Sequence, residues 1–429
     1  MTDDKYDKFI KDTMQNQPII NIGMIGHVAN GKSTLVNAIT GTSTQKHSDE
    51  KEKNITIRIG YANAKIFKCQ YCKPPEAFQS TKSSDTSYNC KICNGQTDLI
   101  SHVSFTDVPG HNIFMSTMLN GTCAMDYAIM IESASNGTIP APQTIEHYQI
   151  TKQIGIPIEF VCLNKIDLVR DKQKVLLMMN ELRKFTENNI PVIPISGTLE
   201  CNIDVICEYI SQLQIPKKNL SEDFKMLVIR SFNVNNAKTL ISEMKGGVIG
   251  GTLVRGVLNV GQEVILFPGH IVRNDHETTW NYRPVRSTVI SIHTDKSKLQ
   301  YAIPGGLIGV ELTIDPGITK DDILVGQIVF SKNKVTSEIK IYENIRIKFK
   351  NLTSDNIQNS IDVIVNVNSN NIDGNITEYT SDIMTINLKT PICVELNDII
   401  TVNRPLTSGG IFILGTGNVI DGIESKLIN

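Results

Sequence analysis

The sequence predicts a multidomain chain in which an α/β domain is followed by two all-β domains. The chain has 429 residues, and because a typical domain has about 150 residues, about three domains are expected. Up to residue 216, short β-branched apolar segments alternate with longer helical segments, as in a parallel sheet with helices on both faces. From residue 217 onward, short strands separated by glycine-containing turns replace the helices, which predicts β-barrels.

The elements of the α/β domain, residues 1–216, follow from the apolar runs and the helical spacing. Each predicted strand is a short β-branched run, and most are followed by a longer amphipathic segment. Strands are predicted at 19–25, 103–106, 127–131, 159–163 and 192–195, and helices at 31–39, 172–184 and 203–213.

The all-β part is expected to form one barrel over residues 217–333 and a second over residues 334–429. In the first barrel, Gly-Gly and Pro-Gly pairs predict turns at 246–247, 250–251, 268–269 and 305–306. In the second, alternating apolar and polar residues predict strands at 341–349, 361–367 and 383–388. The Asn-rich segment 351–375 is expected to be a solvated turn without a function of its own.

Composition excludes several classes of protein. With 42 basic and 44 acidic side chains the formal net charge is −2, so contact with nucleic acid must come from local patches. The N-terminal segment MTDDKYDKFIKD lacks the apolar core of a signal peptide, and no segment reaches the roughly 18 apolar residues that span a bilayer. Five of the nine cysteines are scattered, which indicates a reducing compartment. We expect a cytoplasmic protein without membrane contact.

A phosphate-binding motif follows the first predicted strand. Residues 26–33 (GHVANGKS) match the pattern GxxxxGK[ST] in the strand-loop-helix context that it requires. The glycines let backbone N–H groups face phosphates, Lys32 adds a positive charge, and Ser33 offers a hydroxyl to Mg²⁺. The alternative interpretation is an ordinary glycine-rich turn. The residues of this loop expected to bind the nucleotide are Ala29, Asn30, Gly31, Lys32, Ser33 and Thr34.

The segment NKID, at the end of predicted strand 159–163, indicates that the base is guanine. The Asp167 carboxylate can accept hydrogen bonds from N1–H and the 2-amino group of guanine, a donor pair that adenine lacks, and Asn164 can brace the loop and the base. The segment SGT after predicted strand 192–195 is expected to contact the guanine O6 through its backbone. The residues expected to bind the base are Asn164, Lys165, Ile166, Asp167, Ser196, Gly197 and Thr198.

A third motif, DVPGH, lies between the other two and carries the residues expected at the γ-phosphate. Asp107 is placed to hold Mg²⁺ through water, and the Gly110 amide can face the γ-phosphate. His111 can orient or polarise the attacking water, so Gly110 and His111 are the candidate catalytic residues. A surface histidine on a mobile loop is the alternative for His111. Thr56 is expected to give Mg²⁺ a second hydroxyl beside that of Ser33.

Four cysteines form two CxxC pairs. Cys69 and Cys72 are separated by 17 residues from Cys90 and Cys93, a spacing typical of a four-thiolate zinc site. The polar segment between the pairs has no core of its own, so a structural zinc ion would hold this insertion, about residues 66–100, together. A regulated dithiol or inert thiols are the alternatives. No open coordination position is implied, so zinc catalysis is not expected.

Together these motifs resemble those of translational GTPases, and among them the family of the gamma subunit of eukaryotic and archaeal translation initiation factor 2. The resemblance extends over nearly the whole chain. It rests on GHVANGKST, NITIRIGYANAKIF, VSFTDVPGHNIFMSTMLNG, PAPQTIEHY, NKIDLV, IPIS, VIRSFNVN, KGGVIGGTLVRGVLNVGQEV, LQYAIPGGLIGVEL and DDILVGQIVF.

The resemblance implies a P-loop GTPase domain with a zinc-knuckle insertion and two β-barrels, binding GTP or GDP with Mg²⁺ and Zn²⁺. It implies a GTPase that depends on an activating factor and delivers initiator methionyl-tRNA to the small ribosomal subunit. It also implies partner alpha and beta subunits and a nucleotide-exchange factor. By the same resemblance, Val28 and Ile55 match an apolar gate over the catalytic histidine, and Tyr61 matches a tRNA-contacting tyrosine, with a half-buried strand aromatic as the alternative.

The chain departs from the family pattern at a few positions. The family has histidine where Asn30 stands, an acidic residue where Asn112 stands and alanine where Gly197 stands. Because the phosphate cradle is formed by backbone, Asn30 is not expected to abolish nucleotide binding. The C-terminal end lacks the family's basic and aromatic segment with tryptophan, and the only tryptophan is Trp280.

Two other functions remain compatible with the residues. One is an elongation-factor-like carrier of aminoacyl-tRNA, such as the selenocysteine-specific type, and the other is a nucleotide-binding scaffold that has lost turnover. The four-cysteine knuckle and the length favour the initiation subunit over the elongation type. Copurified tRNA distinguishes these two carriers, and single-turnover GTP hydrolysis distinguishes both from a scaffold.

Overall fold

The computed structural model divides the chain into two compact units. It describes residues 3–44, 56, 58–236, 240, 243–273, 279–295, 297–332, 339–353, 357–407 and 409–428. The first unit is the chain up to Lys217 together with Thr294–Ser297 and Gly305–Leu307, and the second unit is the remainder. The domain boundaries at 216 and 333 stay predictions.

The first unit is built on a seven-stranded sheet with the strand order β3-β2-β4-β1-β5-β6-β7. The strands are β1 (Ile20–Ile25), β2 (Gly60–Cys69), β3 (Phe78–Lys82), β4 (Thr97–Asp107), β5 (Tyr127–Ser133), β6 (Ile158–Asn164) and β7 (Val192–Pro194). The described α-helices are α1 (Asp3–Met14), α2 (Lys32–Thr40), α3 (Met115–Thr122), α4 (Pro142–Ile154), α5 (Lys172–Phe185) and α6 (Ile203–Ser211).

Five strands of this sheet are parallel, as the sequence predicts. β1 pairs with β4 and β5, and β6 pairs with β5 and β7, all in parallel. Every residue of β1 is buried, which fits a central strand covered on both faces. β2 departs from the predicted parallel pattern, because it pairs antiparallel with both of its neighbours, β4 and β3.

Parallel topology brings the predicted motifs to one edge of the sheet. The phosphate loop follows β1, DVPGH follows β4, NKID begins at the end of β6, and SGT follows β7. Ligands of open α/β sheets bind outside the carboxyl ends of the strands, where these loops meet. The fold therefore collects all three motif groups at a single site.

The N-terminal helix α1 was not predicted, because its sequence is mostly charged. It buries Ile10 and Met14, which lie four residues apart and therefore on one face of the helix. The main-chain oxygen of Met14 lies 2.9 Å from Nδ1 of buried His102 in β4. Two buried apolar residues and one polar contact thus dock a helix whose composition indicates a solvated segment.

The second unit holds two closed barrels. β11, β16, β8, β9, β15 and β12 form the first, which is closed by the pairing of β11 with β12, and β17, β20, β19, β18, β21 and β22 form the second. The strands of the first barrel and its surroundings are β8 (Lys225–Phe232), β9 (Val248–Arg255), β10 (Leu258–Asn259), β11 (Glu263–Val272), β12 (Asn281–Thr294), β13 (Ser297–Leu299), β14 (Tyr301–Ala302), β15 (Ile308–Leu312) and β16 (Ile328–Ser331). Those of the second are β17 (Ile339–Asn351), β18 (Asp362–Val367), β19 (Asn370–Thr380), β20 (Ile383–Glu395), β21 (Ile399–Pro405), β22 (Ile411–Glu424) and β23 (Lys426–Leu427).

Two of the predicted turns lie inside strands. Gly250 and Gly251 belong to β9, and a Cβ on Gly251 would lie 1.9 Å from the main-chain oxygen of Leu227, so glycine there permits close strand approach. Residues 268–269 lie in β11, where the pairing register shifts. These glycines mark close packing and a bulge instead of chain reversals.

The Asn-rich segment is also different from its prediction as a solvated turn. β18 runs through it, and β19 begins in it. Asn366 is buried, and its side-chain amide donates to the side-chain oxygen of Asn371 on the neighbouring strand. The amides therefore pair with one another across the sheet. In the described part of the chain, no helix has the length and apolar character needed to span a membrane.

Candidate functional site

A cavity of about 370 Å³ lies at the carboxyl end of β1, where the predicted motifs meet. Most of its lining was predicted from the sequence, apart from Asn37 and Ser43. The lining residues are Val28, Ala29, Gly31, Lys32, Ser33, Thr34, Asn37, Ser43, Thr56, Gly110 and Lys165. The predicted phosphate, magnesium and catalytic segments thus face the same space.

The phosphate loop adopts backbone conformations that suit glycine. Gly26, Gly31 and the non-glycine residue Ala29 all have positive φ angles, of 137°, 93° and 62°. A Cβ on Gly31 would lie 2.3 Å from Nδ2 of Asn164, so only glycine fits there. The loop then enters α2 at Lys32, and a helix N-terminus favours anions.

The side chain of Lys32, the first residue of α2, contacts the start of the phosphate loop. Its Nζ donates to the main-chain oxygens of Gly26, at 2.8 Å, and His27, at 3.0 Å. Burial lowers the pKa of Lys32 to about 8, and the carboxylates of Asp107 and Glu132 partly oppose this shift. A buried ammonium held among backbone carbonyls is the donor that a bound phosphate would meet.

The residues predicted to hold Mg²⁺ present the oxygen ligands that this ion prefers. The hydroxyls of Ser33 and Thr56 lie 3.0 Å apart, although the two residues are 23 positions apart in sequence. Asp107 ends β4 and is fully buried, and its Oδ2 accepts a 2.6 Å hydrogen bond from the hydroxyl of Thr44. The two hydroxyls line the cavity, and Asp107 ends the strand that precedes Gly110 of the lining, so these oxygen atoms are of the kind that a Mg²⁺–nucleotide complex uses.

Asn164 connects three loops of the site. Its Nδ2 donates to the main-chain oxygen of Asn30 at 2.9 Å, and its Oδ1 accepts from the backbone N–H groups of Lys165 at 2.8 Å and Gly197 at 3.0 Å. These bonds match the predicted bracing role. Asp167 lies exposed in the short 3₁₀ helix Ile166–Leu168.

The SGT segment follows β7 as expected. Ser196 is buried, its Oγ accepts from the N–H of Leu199 at 3.2 Å, and its backbone pairs with Cys201. Gly197 is buried and Thr198 is exposed. Asn164 thus ties this loop to NKID and to the phosphate loop.

Gly110 makes the closest approach of the DVPGH segment to the phosphate loop. A Cβ on Gly110 would lie 2.4 Å from Nζ of Lys32 and 2.6 Å from the backbone nitrogen of Val28. His111 follows with its ring half-buried, and its Nδ1 accepts from the N–H of Ile113 at 3.3 Å. The ring of Phe114 lies against the imidazole of His111, with 6.3 Å between the ring centroids.

The remaining predicted positions fall in different places. Val28 lines the cavity, whereas its predicted gate partner, Ile55, lies outside the described residues. Tyr61 is half-buried on β2, opposite Thr106 of β4. Its role in tRNA contact stays a prediction.

A buried polar network under the phosphate loop was missed by the sequence analysis. Asn30 is fully buried; its Nδ2 donates to the main-chain oxygen of Ile131 at 2.8 Å, and its Oδ1 accepts from Asn136 at 3.0 Å. Glu132 is also fully buried, and its Oε2 accepts from the N–H of Ala141 at 3.1 Å. A carboxylate in the apolar strand YAIMIES was the signal that could have shown it.

Asn30 replaces the family's histidine without leaving a gap, because its amide joins this network. The main-chain oxygen of Asn30 meanwhile accepts from Asn164. Its side chain and backbone therefore link the phosphate loop to the end of β5 and to the NKID loop. This arrangement supports the expectation that asparagine is compatible with the loop.

The four knuckle cysteines meet as the spacing predicts. Their sulfur atoms all lie within 4.8 Å of one another, with 3.4 Å between Cys69 and Cys93 and 3.7 Å between Cys72 and Cys90. Tetrahedral zinc with bonds of about 2.3 Å separates its sulfurs by about 3.8 Å, so the four thiols fit a zinc ion. Burial raises the pKa of the Cys90 thiol, but the backbone amides of Cys93 and Ile92 outweigh it and lower that pKa to about 6.

Comparison with known proteins places this site in a family. Residues 17–216 match the family model "Elongation factor Tu GTP binding domain", and residues 333–417 match "Initiation factor eIF2 gamma, C terminal". The eukaryotic translation initiation factor 2 subunit 3 of Drosophila melanogaster is 38% identical, and the alignment covers 96% of this chain and 90% of that protein. The eukaryotic translation initiation factor 2 subunit gamma of Schizosaccharomyces pombe is 36% identical, with 96% of each covered.

Solved structures agree in fold. A bacterial selenocysteine-specific elongation factor, EF-Sec, has a TM-score of 0.69 at 22% identity, covering 94% of this chain and 58% of that one. The elongation factor SelB from Methanococcus maripaludis, in complex with a GTP analogue, has a TM-score of 0.68 at 20% identity, covering 95% and 80%. At these identities the likeness concerns the fold alone.

These findings confirm the predicted fold class, a GTPase domain with a cysteine knuckle followed by two β-barrels. They also confirm the resemblance and do not favour the elongation-type alternative, because the full-length relatives at 36% to 38% identity are initiation factor subunits. A translational GTPase hydrolyses GTP and uses Mg²⁺, as expected from the motifs. The chain belongs to the family of the gamma subunit of eukaryotic translation initiation factor 2.

Proposed function

We propose that this chain carries initiator methionyl-tRNA to the small ribosomal subunit while GTP is bound. We further propose that it acts in the cytoplasm with the alpha and beta subunits of the same factor, a GTPase-activating factor and a nucleotide-exchange factor. The full-length similarity to initiation factor 2 gamma subunits supports this proposal. So does the meeting of all predicted nucleotide motifs at one edge of the sheet.

The phosphate end of the site is assigned to the phosphate loop, the DVPGH segment, and Ile55 and Thr56. Lys32 and the loop amides would hold the β- and γ-phosphates, and Ser33, Thr56 and Asp107 would hold Mg²⁺, which neutralises the charge of the phosphates. His111 would orient the attacking water, with Val28 and Ile55 forming the apolar gate over this histidine.

The guanine end of the site is assigned to the NKID and SGT loops. Asp167 would accept from the N1–H and 2-amino groups of the base, while Asn164 braces the loops around it. The backbone of residues 196–198 would approach the guanine O6. Lys165 lines the cavity between the two ends.

The contact between Ser33 and Thr56 carries the proposal of GTP-dependent tRNA binding. Ser33 belongs to the phosphate loop, whereas Thr56 belongs to a distant segment, and their hydroxyls lie 3.0 Å apart in the cavity. A segment anchored at Mg²⁺ through Thr56 is held when the γ-phosphate is present and released when it is absent. The segment can thereby couple the state of the nucleotide to tRNA binding.

Filter binding of initiator methionyl-tRNA tests this function. We expect the chain to bind the tRNA roughly tenfold or more tightly with GTP than with GDP, within the usual range of coupling between two ligands. Thr56→Ala is expected to bring that ratio close to one. Thr42→Ala is the matched control, because Thr42 is exposed and is not among the lining residues. Equal tRNA binding with GTP and GDP in the unaltered chain would contradict the proposal.

A further inference from the structure

The first two N–H groups of the phosphate loop are held by side chains of α4. The N–H of Gly26 donates to Nδ1 of His147 at 3.2 Å, and the N–H of His27 donates to the hydroxyl of Thr144 at 3.1 Å. Thr144 and His147 lie three residues apart on α4, so they share one face of the helix. The residues are more than 100 positions from the loop in sequence, and none of the sequence motifs assigns them a role.

Both acceptor side chains are buried, and both can accept a hydrogen bond at neutral pH. Thr144 and His147 are fully buried. A histidine that accepts through Nδ1 carries its proton on Nε2 and is neutral. Burial lowers the pKa of His147 to about 3, and the nearby charges of Lys32 and His27 act in the same direction. At neutral pH the acceptor nitrogen is therefore always available.

The backbone of the same two residues also holds the lysine of the site. The carbonyl of Gly26 and the carbonyl of His27 are the acceptors for Nζ of Lys32. The peptide unit between Gly26 and His27 is thus fixed on its N–H by Thr144 and presents its oxygen to Lys32. The unit before it is fixed on its N–H by His147, and the unit after it presents its oxygen to Lys32. On the other side, a Cβ on Gly26 would lie 2.2 Å from the main-chain oxygen of Ile131, so the loop start is clamped between β5 and α4.

We propose that His147 and Thr144 are positioning residues that fix the start of the phosphate loop and, through it, Lys32 at the β-phosphate. This inference rests on the nucleotide site proposed above. Neither side chain is placed to touch the nucleotide, because each reaches the loop through a backbone N–H. Losing either acceptor should weaken the binding of the β-phosphate specifically.

Nucleotide affinity with two variants of His147 tests the acceptor. His147→Leu removes it, whereas His147→Asn places an amide oxygen where Nδ1 stands. GDP and GMP dissociation constants are measured by competition against a fluorescent GDP. We expect His147→Leu to weaken GDP binding roughly 5- to 100-fold, as for the loss of a buried hydrogen bond, and to lower the ratio of GDP to GMP affinity. His147→Asn should restore GDP affinity to within roughly threefold.

A second buried histidine supplies the control. His102 is also fully buried, and its nitrogens lie 2.8 Å from the hydroxyl of Ser83 and 2.9 Å from the main-chain oxygen of Met14. His102→Leu should lower stability without changing the ratio of GDP to GMP affinity. Thr144→Val, with Thr144→Ser as its conservative partner, repeats the test at the second acceptor if His147→Leu fails to fold.

Three results would overturn the inference. These are unchanged GDP affinity in both His147→Leu and Thr144→Val, equal loss in His147→Leu and His147→Asn, or a parallel loss of GDP and GMP binding. Failure of the unaltered chain to bind GDP would instead reject the nucleotide site itself. The two failures are therefore distinguishable.

Discussion

At the scale of single residues, Asn164 shows how one side chain can organise a binding site. Its Oδ1 accepts two backbone N–H groups, and its Nδ2 donates to the phosphate loop. Lys165 beside it has a positive φ of 63°, which turns the chain into the cavity. Since Asn164 braces three loops, we propose that the recognition of guanine falls to Asp167, three residues further along the chain.

Asp167→Asn tests this division of roles. We expect the variant to lose GTP affinity by roughly 10- to 100-fold, because a charged acceptor for two donors is removed, and to gain affinity for xanthosine triphosphate, whose 2-oxo group accepts from the new amide. Competition against a fluorescent guanine nucleotide measures both changes. Asp171→Asn is the matched control, because Asp171 is an exposed carboxylate that caps α5, a role that asparagine also fills. An unaltered base preference would remove Asp167 from base recognition.

The residues of the site were predictable where they belong to a motif whose spacing is set by nucleotide chemistry. Lys32, Ser33 and Asp107 belong to short patterns whose spacing is fixed by phosphate chemistry. Glu132 belongs to no such pattern, and the segment PAPQTIEHY that contains His147 assigns it no role, since both residues act from a strand and a helix that reach the loop only after folding. From the sequence alone, a polar residue on an amphipathic helix that faces solvent cannot be distinguished from one that faces a buried amide.

At the scale of elements, most of the parallel strands were predicted closely, whereas β4 begins six residues before its predicted start and the edge hairpin was not predicted. The predicted strand at 127–131 became β5 (Tyr127–Ser133), and the predicted helix at 172–184 became α5 (Lys172–Phe185). β2 and β3 have mixed polarity, and β2 runs antiparallel to both of its neighbours, β3 and β4. Strand direction at a sheet edge depends on pairing between residues that are distant in sequence, and local sequence patterns do not show this pairing.

The knuckle is the element whose order depends most on a ligand. Apart from the ring contact between Phe67 and Tyr88, with 5.6 Å between centroids, and buried Ala77 and Phe78, its apolar content is small. Gln79 donates to the sulfur of Cys90 at 3.2 Å, an outer contact of the kind that supports metal-bound thiolates. A metal is therefore expected to supply much of the stability of this insertion.

Elemental analysis checks the zinc site. We expect one zinc per chain, and Cys93→Ser is expected to lower this content strongly because three thiolates bind zinc more weakly than four. Cys201→Ser is the control, since Cys201 is likewise exposed but lies outside the cluster. Freshly reduced protein without zinc would favour the dithiol interpretation. Retention of full zinc by Cys93→Ser would remove Cys93 from the ligand set.

At the scale of the whole molecule, a charged network joins the two barrels of the second unit. Nζ of Lys225, in β8, lies 2.8 Å from Oε2 of Glu395, at the end of β20, and 3.5 Å from Oδ2 of Asp398. Arg255, at the end of β9, donates to both oxygens of Glu395. The C-terminal strand β23 adds a parallel pairing with β12. Composition shows balanced charge but not this arrangement.

We expect the network to make the stability of the second unit depend on pH. Burial raises the pKa of Glu395, but Arg255 and Lys225 outweigh it and lower the pKa from 4.5 to about 2. A carboxyl with a depressed pKa stabilises the folded state above its unfolded value, and this stabilisation is lost as the pH falls from about 4.5 to about 2. Because the carboxylate is partly solvated, we expect it to contribute about 1–2 kcal/mol at neutral pH.

Urea unfolding of Glu395→Gln, followed by tryptophan fluorescence, isolates this contribution, because Trp280 is the only tryptophan and lies in the second unit. We expect the variant to be less stable than the unaltered chain by about 1–2 kcal/mol at pH 7, with the difference shrinking below pH 4.5 as Glu395 takes up its proton. Glu263→Gln, which breaks an exposed pair with Lys332, should cost less than about 0.5 kcal/mol at either pH. Equal losses of stability in Glu395→Gln and Glu263→Gln would show that the network contributes no more than a surface ion pair. A stability difference between Glu395→Gln and the unaltered chain that persisted in acid would show that the charge of Glu395 is not its cause.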